Sequence, residues 1–154
     1  MKKSALLPFA ALLLSACCCL PPGTPTSTQP AVYAVNGKAV VAPDPLVFTP
    51  AQRNVTITWQ LPAGAGYTFD AGTGIAFTTD ATGEINCGDT TTANKRGETL
   101  GGTPQPPKSG LGRSPDGLSF TCLNLHTKPG VYKYSINLSG PQGAATADPS
   151  IFNM

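Results

Sequence analysis

Apolar and polar residues alternate along several short stretches from residue 32 onward. Residues 54–61, NVTITWQL, place Val55, Ile57, Trp59 and Leu61 in one phase and Thr56, Thr58 and Gln60 in the other. Strict period two marks a strand with one buried face. Residues 130–139, GVYKYSINLS, repeat it with Tyr132, Tyr134, Ile136 and Leu138 against Lys133, Ser135 and Asn137. Residues 117–123 put Leu118, Phe120 and Cys122 on one face. Shorter candidates lie at 33–35, 38–41, 46–48, 74–79, 84–87 and 150–153, and Asn36-Gly37 between the first two is a strong hairpin-turn signal. No stretch shows helical periodicity. Seven or eight short strands separated by turn residues predict an all-β fold, an antiparallel β-sandwich.

Composition supports that class. Glycine (17) and proline (16) make up about a fifth of the 154 residues, where about 12% is usual. Charged residues are 12%, about half the common share. Few charges with average hydrophobicity is not the signature of a disordered chain. The formal charge of +2 comes from Lys2 and Lys3; without them basic and acidic residues balance. A neutral body offers no basic face for nucleic acid.

Lys2 and Lys3 precede an apolar run from Ala5 to Leu14. Its length of about ten residues is short of the roughly 17–25 that span a bilayer, and it matches the charged and apolar regions of a secretory signal. Leu14-Ser15-Ala16-Cys17 then resembles the bacterial lipobox. The resemblance implies cleavage after residue 16, a diacylglycerol on the Cys17 thiol and acylation of the new amine. Cys18 follows in place of aspartate, which in the enterobacterial sorting pattern implies the outer membrane, with the periplasmic or surface face left open. Cys18 and Cys19 fit the modified position badly, because a cysteine would then precede each. The other readings are an ordinary signal cut nearby and a metal cluster, against which the lack of a nearby histidine counts.

Residues 20–31, LPPGTPTSTQPA, hold four prolines, a glycine and four Ser/Thr residues. They read as an extended spacer that lifts the body roughly 30–40 Å from the membrane, or as an irregular edge packed on it. The expected organisation is a signal at 1–16, an acylated cysteine and tether at 17–31, and a β body at 32–154.

In the oxidising envelope, Cys87 and Cys122 are the pair left to the body, and a bridge between them is expected. It would staple the base of the long segment 88–116, read as a solvated loop or a partner-binding one. The immunoglobulin cysteine pattern is absent, since Trp59 precedes Cys87.

PGVYKYSINL resembles the last cupredoxin strand but lacks the Cys, His and Met that would bind copper. The single histidine, His126, is expected to be exposed in the turn before that strand; a copper site built on it is the alternative reading. Asp70, Asp80, Glu84 and Asp89 crowd the middle of the chain, but their spacing fits no EF-hand loop and turn aspartates account for them. No G-x-S-x-G occurs, and Asp116 is the nearest preceding acid to His126, so no catalytic residue is assigned.

More broadly, Pro43-Asp44-Pro45, residues 55–61 with 66–69, residues 130–134 and residues 148–153 are similar to small uncharacterised bacterial envelope proteins. That resemblance implies a cupredoxin- or immunoglobulin-like sandwich and no specific activity. The expected protein is a non-enzymatic, lipid-anchored envelope protein without a cofactor. Its expected partners are the membrane, through the anchor, and an envelope protein.

Overall fold

A computed structural model describes residues 23–88 and 110–154. Cys17 and the rest of the signal region lie outside the described residues, as does most of the expected loop 88–116. The described chain is all-β, with twelve strands and one 3-10 turn at Thr79–Ala81. In order the strands are β1 (Ala31–Val35), β2 (Lys38–Ala42), β3 (Leu46–Phe48), β4 (Val55–Gln60), β5 (Thr68–Phe69) and β6 (Ile75–Phe77). They continue with β7 (Ile85–Asn86), β8 (Gly112–Arg113), β9 (Ser119–Asn124), β10 (Gly130–Gly140), β11 (Gly143–Ala147) and β12 (Ser150–Asn153).

The sheet runs β3-β12-β10-β11-β2-β1-β4-β9-β7, with β5 and β6 on β10 and β8 on β9. It is mixed, which corrects the expectation of a purely antiparallel sheet of seven or eight strands. Hairpins β1–β2 and β10–β11 and the pair β4–β9 are antiparallel. Parallel contacts join β1 to β4, β2 to β11 and β3 to β12. At β1–β2, Asn36 (φ 52°) and Gly37 (φ 74°) both occupy the left-handed region that a tight two-residue turn demands.

One register explains much of the layout. β11 and β12 run along β10 as a single antiparallel ladder, from Gly140↔Gly143 to Gly130↔Asn153. The ladder is interrupted only at Asp148-Pro149, where proline has no N–H to donate. β2 and β3 follow β11 and β12 in parallel and break at Pro43-Asp44-Pro45. The Ser150 amide donates to the Asp44 carboxylate at 3.3 Å across the two breaks. Both proline motifs thus mark one shared crease.

The alternating residues of β4, β9 and β10 meet in the core. Trp59, Ile57, Phe69, Tyr134, Ile136 and Leu138 are buried, with Leu46, Phe48 and Ile151 from β3 and β12. Trp59 packs edge-on against Tyr134, with ring centroids 5.4 Å apart, and Phe69 edge-on against Phe120 at 5.9 Å. Trp59 and Tyr134 lie on strands several places apart in the sheet, so the core joins strands that are not neighbours.

The expected tether packs at its end. The Thr28 carbonyl accepts from the Thr58 amide at 2.9 Å and the Pro30 carbonyl from Gln60 at 3.0 Å. Pro30 is fully buried. These residues extend the parallel edge of β4 ahead of Ala31.

Candidate functional site

Three features stand out: a buried polar cluster, a stapled loop base and an apolar row on the outer sheet face. The cluster lies where β9 and β12 end. Asn124 continues the inward phase of Phe120 and Cys122, and Asn153 continues that of Ile151, so two amides occupy positions where apolar side chains would pack. They satisfy each other: Asn124 Nδ2 donates to Asn153 Oδ1 at 2.8 Å, and Asn153 Nδ2 returns a bond to Asn124 Oδ1 at 3.1 Å. Asn124 Oδ1 also accepts the His126 amide at 3.1 Å.

His126 is 3% exposed, which corrects the expectation of an exposed turn residue. Its backbone is left-handed (φ 51°), which turns the chain out of β9 and the ring inward. Nδ1 lies 2.9 Å from the Gln52 carbonyl and Nε2 3.1 Å from the Met154 carbonyl. Both nitrogens face main-chain carbonyls, one of which accepts the ring N–H in either neutral tautomer, so the ring sits between the loop before β4 and the end of β12. It offers no free nitrogen to a metal, and Cys122, the nearest thiol in sequence, is bridged.

Glu84 completes the cluster. It accepts from the Thr127 amide at 2.8 Å, the Lys128 amide at 3.2 Å and the Thr127 hydroxyl. Burial alone would raise its carboxyl, but the bonds from Thr127 and Lys128, helped by the Lys128 charge, outweigh it. They hold the carboxyl below its ordinary value. Of the other central acids, Asp70 accepts the Ser139 hydroxyl, Asp80 lies on the 3-10 turn, and Asp89 falls outside the described residues. Among the described residues no group of three His, Cys, Asp or Glu side chains is placed to hold a metal.

Cys87 and Cys122 form a disulfide. Its cause is register. Ile85↔Asn124 and Asn86↔Leu123 pair β7 with β9, and the next position along sets Cys87 against Cys122. β8 pairs with the same strand, at Gly112↔Thr121 and Arg113↔Phe120. The chain therefore leaves β9 at Gly88 and rejoins it at Gly112. A Cβ on Gly88 (φ +79°) would lie 2.6 Å from the Leu111 Cβ, so glycine lets the two ends of the segment touch. Arg113 Nε donates to the Phe69 carbonyl at 2.6 Å and fastens the return to β5.

On the outer face of β3, β12 and β10, Val47, Phe152 and Val131 are exposed side by side. Sequence reasoning missed both this row and the amide pair. The signal for each was a break in alternation: Val131 shares the phase of Lys133, and Asn124 and Asn153 share phases with buried apolar residues. The chain matches no protein-family model, and no curated protein matches it significantly.

Proposed function

We propose that the protein is a non-enzymatic envelope lipoprotein, held in the outer membrane by acyl chains on Cys17. Its β-rich body is structural or binds an envelope partner. The observation that carries this reading is Leu14-Ser15-Ala16-Cys17 directly after a basic head and a short apolar run. Each buried acyl methylene contributes about 0.8 kcal/mol, and two or more chains make anchoring stable. A disulfide in the body fits an oxidising compartment. The non-enzymatic reading is supported by the use of the only histidine as a buried strut and of Glu84 as an acceptor for backbone amides.

We read the body as a two-layer sandwich of cupredoxin- or immunoglobulin-like type. The Trp59–Tyr134 contact supports this, because it packs β4 across the core onto β10. The membrane claim is tested in cells fed labelled palmitate. The intact chain is expected to take up label and to sediment with membranes, while Cys17→Ala loses both. Label retained by Cys17→Ala overturns the anchor.

A further inference from the structure

The outer face of the β3–β12–β10 edge carries apolar side chains that the fold leaves uncovered. Val47 stands beside Phe152 across β3 and β12, and Phe152 stands opposite Val131 across β12 and β10. Their exposures are 42%, 43% and 47%, and Met154, in the same outward phase as Phe152, is 57% exposed. The inward neighbours Leu46, Phe48, Ile151 and Tyr132 are buried. Strands that are apolar on both faces are ordinarily covered on both. Here, among the described residues, nothing covers the outer face. Lys133 is exposed on the same face of β10, two residues from Val131.

The chain also enters the body at this edge. The Val47 amide donates to Ser27 Oγ at 3.1 Å, which fixes the segment arriving from the N-terminus beside the row. Ten residue steps separate Cys17 from Ser27 and span at most about 35 Å when fully extended. Passing around half the girth of a body of this size takes about 55 Å. A face opposite the entry point therefore lies beyond the reach of an anchor at Cys17, whereas the Val47–Phe152–Val131 row lies next to it. Tethering keeps this face at high local concentration against lipid, so a small apolar row suffices for contact.

We propose that Val47, Phe152, Val131 and Met154 form a membrane-docking face that seats the body on the bilayer surface, with Lys133 at the level of the lipid phosphates. This inference rests on the acylation of Cys17. It makes the body lie against the membrane rather than stand off on a spacer.

The test reconstitutes the full acylated chain in vesicles of phosphatidylethanolamine and phosphatidylglycerol that carry a lipid with a photoactivatable diazirine in its acyl chain. Labelled peptides are then mapped. The expected labels fall on the acylated N-terminal peptide and on peptides containing Val47, Val131 and Phe152. Val131→Ser with Phe152→Ser should lower the body labels several-fold and leave the N-terminal label unchanged. Label confined to the N-terminal peptide overturns the docking face while the anchor stands. Disulfide cross-linking of Val131→Cys between two copies in the same vesicles, with no lipid label on the row, overturns it in favour of a second copy as the cover. Absence of acyl groups on Cys17 overturns the anchoring reading, and the docking face with it.

Discussion

The Trp59 indole N–H donates to the Tyr134 hydroxyl at 3.1 Å, inside a core where Trp59 is fully buried and Tyr134 is 2% exposed. The bond gives a donor-only group its acceptor and joins β4 to β10 across the interior. Phe77 also stacks on Tyr134, with centroids 5.3 Å apart. Tyr134→Phe keeps the ring and removes the acceptor. It should cost about 1–3 kcal/mol, read as a lower urea midpoint with an unchanged slope.

Alkali should act at the same residue. Burial pushes the Tyr134 hydroxyl upward, against the lowering effect of the Trp59 bond, and Asp44 adds to the rise. Burial also raises Tyr132, with Glu84 adding to it. A folded-state value above the unfolded one gives stability that is complete below the unfolded value, about pH 10, and is lost as pH rises beyond it. Melting temperature should therefore fall above that pH. Tyr134→Phe should show a shallower fall from its lower starting point, and parallel profiles would contradict the assignment.

The Asn124–Asn153 pair predicts non-additivity. Alanine at either position strands the other buried amide, and at Asn124 it also strands the His126 N–H. Each single substitution should cost about 1–3 kcal/mol. The double variant should fall short of the sum by about 0.5–3 kcal/mol, the range of coupling for groups in direct contact. Denaturant titrations of the four proteins measure this, and simple additivity would contradict a direct bond.

Glu84 predicts an acid limb. Its folded-state carboxyl is depressed, so its contribution is present above the unfolded value, about pH 4.3, and is lost as pH falls through the folded value. Glu84→Gln keeps an acceptor for one amide but carries no charge. Its melting temperature should be lower at neutral pH and should change less between neutrality and strong acid than that of the native chain.

The bridge predicts a loop effect. Cys87 and Cys122 are 35 residues apart, and closing a loop of that size contributes about 4 kcal/mol in the chain-entropy account. Cys87→Ala with Cys122→Ala should lower stability by up to that amount. Cys122 is fully buried but Cys87 is only half-buried, so the Cys87 sulfur is the one open to a reductant, and reduction should speed up with reductant concentration. Thiol trapping against time measures it.

Legibility from sequence followed locality. The runs around Trp59 and Tyr134 were plain because period two is written in consecutive residues, and the Asn36-Gly37 turn because two adjacent residues determine it. β11 escaped, since Gly-Ala-Ala-Thr-Ala carries no bulky alternation and only Ala145 is buried. β8 escaped because its two residues become a strand only by meeting β9. The parallel neighbours β2–β11 and β3–β12 join segments about a hundred residues apart in the chain, and no local signal specifies them.

The candidate site divides the same way. Pairing Cys87 with Cys122 followed from the sequence once three cysteines were assigned to the signal region, but the reason for it is the β7–β9 register. His126 read as exposed because it falls in the turn before the strand at 130–139; its ring is buried because a left-handed backbone turns it toward carbonyls from Gln52 and Met154, residues remote in the chain.

By itself, the sequence determined the class of the fold, its principal strands, its turn chemistry and the expectation of an anchor at Cys17, all properties of neighbouring residues. Tertiary structure alone decided the mixed sheet, the shared crease at the two proline motifs, the Asn124–Asn153 pair and the uncovered Val47–Phe152–Val131 row. Those depend on which distant strands meet and in what register. Burial free energy sums over the whole assembled core, so no single stretch of chain encodes that choice.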